Sequence, residues 1–138
     1  MKSDKITSAN QASMVNIDEL IRYAVQAEYS ALTPSVDAFC RVQQISFTAF
    51  SEQFARRVAL SYQQRTMPWL DADTAMNNLH AQAMLRAEHT RLSDFAFAVY
   101  LAFDAAEYHP KMPHLSSDEI SRPLIDTLLT RPVQATAR

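Results

Sequence analysis

An all-α fold follows from three observations on this sequence. The chain has 138 residues and not one glycine. Apolar residues recur at three- and four-residue spacing along most of its length, which is the period of a helix face. All six prolines fall at the boundaries or in the first turns of the helices this periodicity predicts. Average usage would supply about ten glycines in a chain of this size. Glycine serves tight hairpins and close backbone approach to phosphates. Its absence excludes a P-loop or a dinucleotide-binding loop and disfavours a β-sandwich or barrel. It also means that helices must close without the common glycine C′ cap, leaving their last carbonyls to water, side chains or 3₁₀ turns.

The first helix starts at Asn16, where Asn16 and Glu19 match a capping box. Ile17, Leu20, Ile21, Ala24, Ala27 and Ala31 form its apolar face. Thr33–Pro34 ends this helix and starts the second, with proline at the first helical position. In the second helix Val36, Cys40, Gln43, Phe47, Phe50, Phe54 and Val58 fall on one stripe. Val42, Ile45, Ala49 and Leu60 form a second strip on the far side. A helix that is apolar on two faces is central in a bundle or pairs with another subunit. This one runs to about Arg65 or breaks near Ser46.

A connector carries Trp69, and Asp71 is a candidate cap for the third helix. Ala72, Met76, Leu79, Ala83 and Ala87 are its inner stripe. Ser93 reads as a fresh N-cap, with Leu92 and Phe97 at the staple positions. The alternative is one continuous helix over 72–108. The segment Phe95–Phe103 alternates large and small residues as a strand would, but its alanine-rich flanks and the lack of a turn pair favour helix. A short helix over Ser121–Thr130 follows, with Pro123 in its first turn and Pro132 as its stop. The expected architecture is a four-helix up-and-down bundle with a short accessory C-terminal helix. Residues 1–15 and 131–138 are polar and read as disordered, and 16–130 reads as one helical-bundle domain.

Composition narrows the function classes. Thirteen basic and 15 acidic residues give a net charge of −2, with no electrostatic reason to expect nucleic acid or an anionic membrane. Arg56, Arg57, Arg65, Arg86 and Arg91 do not line one helical face, which speaks against a helix-turn-helix. The single Cys40 forbids an internal disulfide and suits a reducing, cytoplasmic compartment. The N-terminal residues lack the apolar core of a secretory signal. The longest apolar run, nine residues, is far short of the roughly 20 that span a bilayer.

Two polar constellations are candidate sites. Glu28, Gln43, Arg57, His80 and Asp104 fall on or beside inner stripes, so as a core cluster they are placed to hold a small ligand. The plainer reading pairs Glu28 with Arg57 and makes Gln43 a register-setting core amide. Asp104, Glu107, His109 and His114 have ligand chemistry suited to zinc or another divalent ion, or form a polar helix end with surface histidines. The paired Glu-x-x-His motif of di-iron bundles is absent, and a G-x-S-x-G elbow is impossible without glycine. No cofactor is expected. Candidate interface residues are Val42, Ile45, Ala49, Leu60 and Trp69. The leading expectation is a non-enzymatic interaction module (adaptor, chaperone or immunity/antitoxin-like) that binds a protein partner and self-associates as a dimer. The competing expectation is a small-molecule- or metal-binding bundle, either a binder or an enzyme, that uses the core polar residues.

Overall fold

The computed structural model describes residues 16–26, 29–86, 90–107 and 114–130, without the side chains of 29–31. The predicted disordered ends, 1–15 and 131–138, lie outside the described residues, as do Glu28 and His109. The described residues form six helices and no strand. They are α1 (Ile17–Val25), α2 (Tyr29–Gln43), α3 (Phe47–Gln63), α4 (Trp69–Met84), α5 (Asp94–Glu107) and α6 (Ser117–Thr130).

Six helices replace the expected five because the long second helix breaks at Gln44–Ser46. Gln44 adopts φ 58° and ends α2, and the Ser46 side chain then accepts from Ala49 N to start α3. The end of α2 is a Schellman motif, with Ile45 N bonded to Cys40 O at 3.0 Å and Gln44 N to Arg41 O at 3.2 Å. The end of α3 repeats it: Arg65 has φ 65°, Thr66 N reaches Ser61 O at 2.9 Å, and Arg65 N reaches Tyr62 O at 3.0 Å. Both helices therefore carry the glycine-type cap that the sequence argued against, with Gln44 and Arg65 standing where glycine is usual. A left-handed non-glycine residue costs about 1–2 kcal/mol, which the two capping bonds and the packing of the following residue offset.

Other boundaries shift for identifiable reasons. Asn16 Oδ1 accepts from Glu19 N at 2.9 Å as expected, but the Glu19 carboxylate turns to Arg22 rather than back to the cap. Pro34 lies inside α2, not at its first position, because the helix already begins at Tyr29. Pro68, not Asp71, precedes α4. Ser93 caps α5, accepting from Ala96 N at 3.0 Å, so 72–108 is two helices. The C-terminal helix starts at Ser117, not Ser121, on a reciprocal box: Ser116 N donates to Glu119 Oε1 at 2.8 Å and Glu119 N to Ser116 Oγ at 3.1 Å. Pro123 therefore lies beyond its first turn.

Helix α4 packs against α1, α3 and α5, while α3 contacts α1, α4, α5 and α6. The aromatic seam is the core. Phe50 meets Phe39, Phe47 and Phe54 with ring centroids 5.5, 5.8 and 5.7 Å apart. Tyr62 meets Phe103 edge-on at 5.0 Å. Far from being a loosely attached accessory, α6 has its most extensive contact with α5 and also packs on α3. Trp69 Nε1 donates to Ser121 Oγ at 2.9 Å, and Ser121 Oγ donates to Ala102 O at 2.8 Å, so one buried hydroxyl ties α4, α6 and α5 together. Ser121→Ala leaves the indole N–H without its partner and is expected to lower stability by about 1–3 kcal/mol in urea unfolding.

Candidate functional site

Among the described residues the predicted core polar cluster is not brought together, and Glu28 lies outside them. Gln43 and Arg57 are exposed. Arg57 lies on the outward side of α3 and pairs with Asp18 at 2.8 Å, with both side chains largely in solvent. His80 stacks flat on Tyr100, with centroids 4.3 Å apart and planes 9° apart. Asp104 is half-buried on α5. Of the metal candidates, His114 is exposed, and Asp104 and Glu107 face a different partner from the predicted histidines. Among the described residues no group of three or more His, Cys, Asp or Glu is placed to hold a metal ion.

That partner is Asp73, a residue outside both predicted constellations. It sits on α4 with 6% of its surface exposed, facing Glu107 and Asp104 of α5. Asp73 Oδ2 accepts from Asn77 Nδ2 at 3.3 Å, and the same amide donates to Glu107 Oε2 at 2.9 Å. Asp73 Oδ1 is buried and receives no hydrogen bond among the described residues. Burial pushes its pKa up to about 8; the hydrogen bond with Glu107 and the charges of Glu107 and Asp104 push the same way, and Asn77 opposes them. Two carboxylates can only accept, so a bond between them requires a shared proton. Burial and the neighbouring carboxylates therefore favour the protonated form of Asp73 at neutral pH, and the Asn77 amide bridges it to Glu107 between α4 and α5.

Other buried polar groups are also tied into the frame. Gln82, fully buried, lies 3.0 Å from Thr33 Oγ1 and accepts from Arg86 at 2.8 Å. Arg86 also donates to Asp37 at 2.6 Å and lies over the Phe47 ring at 4.5 Å, joining α2, α3 and the end of α4. Asn78 Nδ2 donates to Ala24 O at the end of α1. Burial pushes the Cys40 thiol up, against the lowering effect of Arg86, so it is not poised as a thiolate.

One solvent-open feature is apolar. Ala98, Leu101, Ala102, Leu124, Thr127 and Leu128 line a groove of about 260 Å³ between α5 and α6. Leu101 and Leu124 are 45% and 44% exposed, and Phe97, one turn before Leu101, is 46% exposed. The cause is local. Ala96, Ala102 and Ala106 put small side chains toward the core and bring α5 close to its neighbours. The large residues between them are left outside. The predicted interface residues are dispersed instead. Val42 is exposed at the end of α2, Ile45, Ala49 and Leu60 are half-buried on either side of the break, and Trp69 is engaged with Ser121. Among the described residues, no helix is long and apolar enough to cross a membrane. Comparisons of the chain with family models, curated proteins and solved structures return no match.

Proposed function

We propose that this chain is a non-enzymatic interaction module that binds a protein partner through the α5–α6 groove. The observation that carries the reading is the groove itself: Leu101 and Leu124 are large apolar side chains held in solvent on a packed helical pair, with Phe97 exposed one turn before Leu101. The polar groups described above support it from the other side. Asp73, Gln82, Arg86 and Ser121 hold helices together, and none of them converges on an open cavity. The half-buried Cys40 favours a reducing, cytoplasmic setting for this role.

Site-specific photo-crosslinking tests the reading. A photoreactive side chain at position 101 should give a discrete protein adduct in the native cell, while one at the exposed position 41 on α2 should not. Leu124→Lys should abolish the adduct without changing the melting temperature by more than a few degrees, since Leu124 is already half in water. Equal labelling from positions 101 and 41 would rule the groove out as the binding face.

A further inference from the structure

A second cavity, of about 330 Å³, opens between the end of α4 and the start of α5. Ala83, Leu92 and Phe97 give it apolar walls, and His80, Arg91 and Asp94 give it polar groups. The walls are fixed from both helices. His80 of α4 lies flat on Tyr100 of α5 at 4.3 Å, and Phe97 lies 6.0 Å and 23° from the same ring. The segment that carries Arg91 is anchored to α3. Thr48 Oγ1 donates to Arg91 O at 2.7 Å, Ser93 N to Ser51 Oγ at 2.9 Å, and Ser93 Oγ to Glu52 Oε1 at 2.7 Å. Arg91 and Asp94 are both exposed, and neither has an ion-pair partner among the described residues. On a continuous helix two opposite charges three residues apart would pair. Here Ser93 caps α5 between them and leaves Arg91 off the helix. The cavity therefore holds one cation and one anion apart beside an apolar wall.

We propose that this cavity binds a small zwitterion with an apolar side chain, the chemistry of a free α-amino acid. The ligand's carboxylate pairs with the Arg91 guanidinium and its ammonium with the Asp94 carboxylate. Its side chain lies against Ala83, Leu92 and Phe97. A ligand with a single charge leaves Arg91 or Asp94 without a counter-charge, and a wholly apolar one leaves both. The volume of about 330 Å³ sits at the lower end of the roughly 300–1,000 Å³ of small-ligand pockets, which calls for a small ligand. Among the described residues the cavity shares no lining residue with the α5–α6 groove, so this site stands apart from the partner-binding reading.

Amide NMR titration of the full chain at neutral pH tests the site. The probes are L-phenylalanine, L-leucine, 3-phenylpropionate, which lacks the ammonium, and phenethylamine, which lacks the carboxylate. L-Phenylalanine is expected to shift the amides of Ala83, Leu92 and Phe97 saturably at millimolar concentration or below. It should bind about tenfold more tightly than either single-charged analogue. Arg91→Gln should lower its affinity to that of phenethylamine, and Asp94→Asn to that of 3-phenylpropionate. Both side chains are exposed, so the circular-dichroism melt should stay intact in each variant. Leu124→Lys, in the groove, should leave all the affinities unchanged. Equal affinity of L-phenylalanine and its two analogues, or tighter binding of either analogue, overturns the zwitterion. Shifts centred on Leu101 and Leu124 place the probe in the groove and overturn the site. The site is also overturned if neither L-phenylalanine nor L-leucine gives a saturable shift at millimolar concentration.

Discussion

Truncating Phe50 to alanine is expected to cost about 3–5 kcal/mol of stability. The ring is fully buried and is the hub of the aromatic seam, with Phe39, Phe47 and Phe54 all within 6 Å between centroids. Three kinds of loss combine: the transfer free energy of the ring, the cavity its neighbours cannot close, and aromatic edge contacts worth about 0.5–1.5 kcal/mol per pair. The size matters because a domain of this kind has only about 5–15 kcal/mol in total. Urea unfolding at constant slope should show the shift in midpoint. Phe50→Leu should recover much of it, because leucine refills most of the space. A near-neutral Phe50→Ala would mean that α2 and α3 do not enclose the seam.

The second large effect is electrostatic. Asp73→Asn is expected to stabilise the protein at pH 8 and to flatten its stability against pH. Asp73 has a folded pKa of about 8, raised by burial and by its carboxylate neighbours, whereas in the unfolded chain it titrates near 3.9. A raised carboxyl pKa means that the folded state holds a proton the unfolded state has released. Stability is then unaffected by this group below about pH 4, falls between about pH 4 and 8, and levels off above. The slope within that window is at most about 1.4 kcal/mol per pH unit. Asparagine keeps a donor toward Glu107 and an acceptor for Asn77 but has nothing to ionise. Melting temperatures across pH 4–9 for the two proteins should therefore diverge as pH rises. Parallel curves would show that Asp73 is ionised in the folded state at neutral pH.

The sequence was most legible where one helical face differs from the other. Phe47, Phe50, Phe54 and Val58 recur on a single stripe of α3, and all four are buried. The caps at Asn16 and Ser93 were readable because side chain and spacing together name the acceptor. The box at Ser116 and Glu119 has the same form, but it precedes the apolar residues after Ser121 that mark the helix. Helix α5 was legible as a helix but not in phase. Its residues are apolar on every side, so periodicity could not say that Val99 and Phe103 turn inward and Phe97 and Leu101 outward. Only the close approach of its alanines to neighbouring helices decides that, and those neighbours lie far away in sequence. Asp73 was hidden for a related reason. Alanines surround it on α4, a helix enclosed by three others, so a carboxyl beside the inner stripe reads as a surface residue.

The two left-handed residues without glycine have a consequence outside the native contacts. Glycine gives an unfolded chain its widest choice of backbone conformations, and every residue with a Cβ narrows that choice by about 0.5–1 kcal/mol relative to glycine. A chain without any glycine therefore starts from a poorer unfolded ensemble and gives up less disorder when it folds. At Gln44 and Arg65 the native backbone visits the one region where that restriction turns against it. Part of this protein's stability thus belongs to the disordered state it leaves, and two helix ends return a share of it as strain.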